Sequence, residues 1–115
     1  MGFSLGSYLA LSLAVHDRRV AAVAEFFGGL PKELHGAADT LPPLLIIHGE
    51  NDDVVPVSEA YALEKLCQQH QIPYDIKIYP GQGHSLKGFA QMDALGQVVS
   101  FFKKTLAKTA DGSQP

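Results

Sequence analysis

A three-layer α/β fold around a mostly parallel sheet is the architecture this sequence predicts, and three observations carry it. Leu44 to Ile47 is a continuous apolar run between Pro42-Pro43 and His48-Gly49, the mark of a strand covered on both faces. Tyr74, Ile76 and Ile78 alternate with Asp75, Lys77 and Tyr79, the period of a strand exposed on one side. Helical stretches separate the strands at intervals that suit right-handed crossovers between parallel neighbours.

The 115 residues, 46% hydrophobic and 18% charged, fit one globular domain, expected over residues 1–108 with a disordered tail at 109–115. Nine basic residues against twelve acidic ones give a formal net charge of -3 without any run of Lys or Arg, so no nucleic-acid partner is expected. Cys67 is the single cysteine, which excludes an intramolecular disulfide and a Cys-based zinc site. It suits a reducing compartment, and a cytoplasmic location is the expectation. The apolar segment from Phe3 to Val15 lacks the basic n-region of a secretory signal and is too short to span a bilayer, so no membrane partner is expected either.

Taken in order, Leu5 to His16 is apolar around most of its circumference and ends at Asp17-Arg18-Arg19, which describes a largely buried helix. Val20 to Phe27 is β-branched and aromatic and stops at Gly28-Gly29, reading as a buried strand. Leu30 to Thr40 reads as loop. After the Leu44–Ile47 strand, Asn51 to Pro56 has turn chemistry, and Ser58 is placed to cap a helix over 59–69 with an apolar stripe of Ala62, Leu63, Leu66 and Cys67. The alternating segment 74–79 belongs at a sheet edge. A final amphipathic helix follows over 92–106, facing inward through Leu95, Val98, Val99 and Phe102. Three strands are expected in all.

Gly2-Phe3-Ser4-Leu5-Gly6 has the form G-x-S-x-G and opens into a helix. In a sharp strand-to-helix turn the residues two before and two after the nucleophile need to be small, because strand and helix pass close there. Ser4 would then project its hydroxyl near a helix N-terminus, where the Leu5 N–H can stabilise an oxyanion. An ordinary Gly/Ser-rich helix entry, with Ser4 merely a cap, is the bland alternative.

The order of the other groups adds weight. Asp52 follows the end of one strand and His84 the end of the next, so an open parallel sheet brings both to the edge where Ser4 lies. A serine hydroxyl is a poor nucleophile at neutral pH, an imidazole can take its proton and return it to the leaving group, and a carboxylate fixes the imidazole tautomer. Asp53 is an alternative acid, and Asp52 or His84 can each be read as a plain loop residue. His48, Glu50, Asp52 and Asp53 lack the ligand set and spacing of a zinc site, so no metal is expected. His16, His35 and His70 read as solvent-facing, and Cys67 as packing rather than nucleophile.

Together GFSLGSYLAL, VAEFFGGLP, PPLLIIHGENDDVVP and YPGQGHSLKGF, spanning residues 1 to 104, resemble the C-terminal half of a dienelactone-hydrolase-like α/β-hydrolase. The resemblance implies Asp52, rather than Asp53, as the acid, from the HGxxDxxVP pattern. It implies His84 as the base, from GxGH, and Ser4 as the nucleophile of a serine hydrolase acting on small carboxylic esters, without cofactor. Dienelactone hydrolases typically carry cysteine at the nucleophile position, so serine points to the carboxylesterase-like members; a thioesterase or lysophospholipase shares the same patterns. In such enzymes the central strand and all that precedes it come before Gly2, including the loop that gives the second oxyanion donor, whose loss costs about 10²- to 10³-fold in rate. Val20 to Phe27 would then be an exposed apolar edge, and the expectation is a homo-oligomer or a partner chain supplying the N-terminal half. The rival is a non-catalytic fragment whose triad residues never assemble.

Overall fold

The computed structural model describes residues 2–3, 5–17 and 19–110. The elements run β1 (Gly2–Phe3), α1 (Leu5–His16), β2 (Val23–Phe26), a 3-10 segment (Lys32–Thr40), β3 (Leu44–Gly49), α2 (Ser58–His70), β4 (Tyr74–Tyr79) and α3 (Phe89–Ala110). The strands form one parallel sheet in the order β1-β2-β3-β4. Three full strands are present as expected, and the two-residue β1 is an addition that no periodicity could reveal.

β1 changes one expectation. Gly2 stands opposite Glu25 and Phe3 opposite Phe26, so β2 is an interior strand rather than an exposed apolar edge, and all four of its residues are buried. β2 is also shorter than the 20–27 segment expected, because Phe27 turns out of the sheet with a φ of 59°. β3 is fully buried along its length, as a continuous apolar run requires, and β4 alternates half-buried and exposed up to the buried Tyr79.

The three layers follow from the strand alternation. Val23, Leu44 and Ile46 face α1 and α2 and join a core with Leu11, Ala14, Val15, Leu63 and Cys67. Ala24, Phe26, Leu45 and Ile47 face the other way and pack against Ala90, Ala94, Val98 and Phe101 of α3. Among the described residues no helix is long and apolar enough to cross a membrane.

Several local expectations are corrected. Leu30 to Thr40 is not plain loop, since 32–40 winds as a 3-10 helix. Ser58 does not cap α2. Val57 occupies that position in helical conformation without a side-chain cap, and the Glu59 and Ala60 N–H groups donate to the Pro56 and Val57 carbonyls instead. The buried stripe of α2 is Ala60, Leu63 and Cys67, with Ala62 exposed. On α3 the expected Leu95 and Val99 are 54% and 65% exposed, because the smaller Ala90 and Ala94 let the helix lie close to the sheet and rotate the bulkier residues outward. α3 extends through Ala110, past the start of the expected tail, and residues 111–115 lie outside the described residues.

Candidate active site

The ends of β3 and β4 are stitched together by backbone. The Glu50 N–H donates to the Tyr79 carbonyl at 3.0 Å and the Asn51 N–H to the Gln82 carbonyl at 2.9 Å. Gly49 makes this approach possible, since a Cβ there would strike the carbonyls of Gln82 and Gly83. The turn carrying Asp52 and the loop carrying His84 are therefore held side by side by hydrogen bonds that involve neither functional side chain.

Asp52 is buried and each of its oxygens is engaged. Oδ1 accepts the Val54 and Val55 N–H groups, both at 2.8 Å, which fixes the carboxylate plane. Oδ2 lies 2.7 Å from Nδ1 of His84. Burial works to raise the Asp52 carboxyl, and the hydrogen bonds from His84, Val55 and Val54 outweigh it, so the group lies below its ordinary value and is ionised at neutral pH. An ionised carboxylate at that distance accepts, so Nδ1 of His84 carries the hydrogen and Nε2 is left as the basic nitrogen. The neighbouring Asp53 is exposed. The pairing thus brings together Asp52 and His84, two of the three groups singled out in the sequence.

Ser4, the third, lies outside the described residues. Its flanks are described: Gly2–Phe3 is strand and Leu5 is the first residue of α1. The Leu5 N–H belongs to the first turn of α1, where backbone donors have no intrahelical acceptor.

Two further residues touch the pair and were not singled out for it. His48, fully buried, has Nε2 at 2.8 Å from the Val55 carbonyl and 3.4 Å from Oδ2 of Asp52. Both neighbours are acceptors, so Nε2 carries the hydrogen, and the ring tethers the turn that holds Asp52. Phe27 packs its ring against His84 at 5.6 Å between centroids and against His48 at 6.1 Å. A positive φ at a bulky residue has no sequence signature.

A groove of about 320 Å³ opens beside His84, walled by Phe26, Phe27, Leu86, Ala94 and Leu95. Of the other histidines, His16 is exposed as expected, but His35 is half-buried with Nε2 at 2.9 Å from the Leu30 carbonyl, and His70 is half-buried. Cys67 is buried, and burial first, then the nearby Glu64 carboxylate, pushes its thiol up to about 12, which suits packing and not nucleophilic attack.

Comparison with known proteins fits this geometry. Esterase PE8 superposes with a TM-score of 0.73 at 30% identity, over 90% of this chain and 48% of that one. A dienelactone hydrolase-like promiscuous phosphotriesterase from metagenomic libraries superposes at 0.79 and 19% identity, over 90% and 50%. A puromycin-hydrolyzing peptidase of Mycobacterium tuberculosis superposes at 0.82 and 20% identity, over 91% of this chain and 21% of that one. The last two likenesses speak for the fold alone, and the chain spans about half the length of the first two. The sequence model of the dienelactone hydrolase family matches residues 1–106, and with the α/β-hydrolase fold just described it establishes that this chain belongs to the dienelactone hydrolase family.

Proposed function

We propose that the chain carries the reacting groups of a serine hydrolase of small carboxylic esters. Ser4 attacks the carbonyl carbon while Nε2 of His84 takes its proton. The tetrahedral oxyanion is held by the Leu5 N–H, and the leaving alcohol takes the proton back from His84 as the acyl-enzyme forms. Water, deprotonated by the same nitrogen, then releases the acid and Ser4. Asp52 holds the His84 tautomer through both half-reactions. The observation that carries the reading is the 2.7 Å hydrogen bond between Nδ1 of His84 and an Asp52 carboxylate whose other oxygen is locked by two backbone donors. The esterase among the structural neighbours supports an ester substrate, and the apolar groove beside His84 supports an uncharged one.

The test is hydrolysis of a short-chain aryl ester by the chain beside its Ser4→Ala variant. Turnover is expected to vanish in the variant; turnover left intact by the substitution rejects the assignment.

A second reading concerns assembly. Leu9 and Leu13 on α1 and Phe89, Met92, Leu95 and Val99 on α3 expose more than half of their surface, and this supports a homo-oligomer or a partner chain that covers them. Light scattering is expected to show a species larger than the 115-residue chain, and a monodisperse monomer counts against self-association.

A further inference from the structure

Glu25 is the one carboxyl of β2 and is completely buried, with its side chain on the face covered by α1 and α2. Its Oε1 accepts the Gly28 N–H at 2.6 Å. Its Oε2, also buried, has no partner among the described residues. A carboxyl in the middle of a buried strand is a costly choice where an apolar residue would serve, unless the bond it makes is needed.

The bond spans the residue next to the base. Between Glu25 and Gly28 the chain reverses through Phe27, whose φ of 59° is strained for a bulky side chain. The turn is tied at two points: the Phe27 N–H donates to the Ile47 carbonyl at 3.0 Å, and the Gly28 N–H donates to Glu25. The product of the turn is the phenyl ring 5.6 Å from the His84 ring. We infer that Glu25 is a positioning residue for the base: its carboxyl holds the strained Phe27 turn, and the turn seats the phenyl ring against His84.

What surrounds Glu25 favours its neutral form. Burial pushes the carboxyl up to about 8, partly offset by the Gly28 hydrogen bond. From α1 the Tyr8 hydroxyl lies near enough to feel its charge, and Tyr8 in turn donates to Oε1 of Glu59 on α2 at 3.3 Å, so a second acid faces the same space. The strand residues opposite Glu25 are Gly2 and Ile46, neither of which titrates. A glutamine keeps the acceptor that the turn uses, while a leucine removes it.

The inference rests on His84 being the base, and its test is chosen to read the turn without turnover. Imidazole and amide resonances of the isotope-labelled 115-residue chain are compared for wild type, Glu25→Gln, Glu25→Leu and Phe27→Leu. Phe27→Leu is expected to move the His84 ring protons by removing the phenyl ring current, Glu25→Leu to move them in the same direction, and Glu25→Gln to leave them in place. Where ester turnover is measurable, Glu25→Leu should lower kcat on the order of ten- to a hundred-fold with little change in KM, and Glu25→Gln should restore it. His84 resonances unmoved in Glu25→Leu overturn the inference, as does a Glu25→Gln variant as perturbed as Glu25→Leu. If Glu25→Leu does not fold, the Glu25→Gln and Phe27→Leu spectra decide. Absence of Ser4-dependent turnover in the wild-type chain, with the His84 resonances moving as expected among the variants, would instead fault the proposed reaction and leave the inference standing.

Discussion

The two faces of the sheet are finished differently. On one side α1 and α2 cover Val23, Leu44 and Ile46, and the core there takes in the fully buried Leu11, Leu63 and Cys67. On the other α3, with Leu86 before it, covers Phe26, Leu45 and Ile47, leaving a groove beside His84 and a stripe of exposed Phe89, Met92, Leu95 and Val99. The closed face carries the packed framework; the open face is where the His84 ring meets the groove. Rigidity at Asp52 and openness at His84 thus come from one sheet without conflict.

Breaking the framework's end product should have the largest effect. Asp52→Asn keeps the shape but loses the carboxylate that orders His84, and ester turnover is expected to fall about 10³- to 10⁴-fold, read from kcat on an aryl ester. A turnover within a few-fold of wild type would mean that the pair is structural. Next in size is the closed face itself. Ile46→Ala removes a fully buried side chain and is expected to cost about 2–5 kcal/mol by urea denaturation, whereas Leu95→Ser on the open face should change stability by less than about 0.5 kcal/mol. Equal costs at the two positions would erase the contrast, and a large cost at Leu95 would show that another chain covers it.

The two faces also differ in a slope with pH. The folded Glu25 carboxyl sits at about 8 against an ordinary 4.5, so between those values the folded state holds a proton that the unfolded state has lost. Its contribution to stability is complete below about 4.5 and declines as pH rises to about 8. Asp52 works in the opposite sense: its lowered carboxyl stabilises the fold above the ordinary carboxylate range and loses that contribution as pH falls. Thermal midpoints followed from pH 4.5 to 8 should therefore decline more steeply in wild type than in Glu25→Gln, and parallel curves would remove Glu25 from the account.

What the sequence made legible was whatever has a period or a motif. Leu44 to Ile47 and Tyr74 to Tyr79 announced their strands by apolar continuity and alternation, and HGxxDxxVP and GxGH marked the two side chains that meet. On α3 the expected inward face holds at Val98 and Phe102 and fails at Leu95 and Val99, because bulk does not decide burial there. Ala90, Ala94, Val98 and Phe101 face the sheet, and the closer approach that alanine permits turns Leu95 and Val99 outward. Ser58 failed as a cap because the Pro56-Val57 turn already supplied the acceptors. β1 is too short for any period, and the roles of Glu25, Phe27 and His48 depend on a left-handed turn and on tertiary contacts that no spacing encodes.

The glycine contact at the end of β3 has a consequence for how such a site can be inherited. Asp52 and His84 stand at the two strand ends of a single β3–α2–β4 unit, and their spacing is set by backbone bonds inside that unit, with Gly49 lying against Gln82 and Gly83. Asp52 and His84 are therefore carried by one contiguous stretch of chain. Such a unit can be inherited with the registration of the pair intact while the rest of the sheet changes around it.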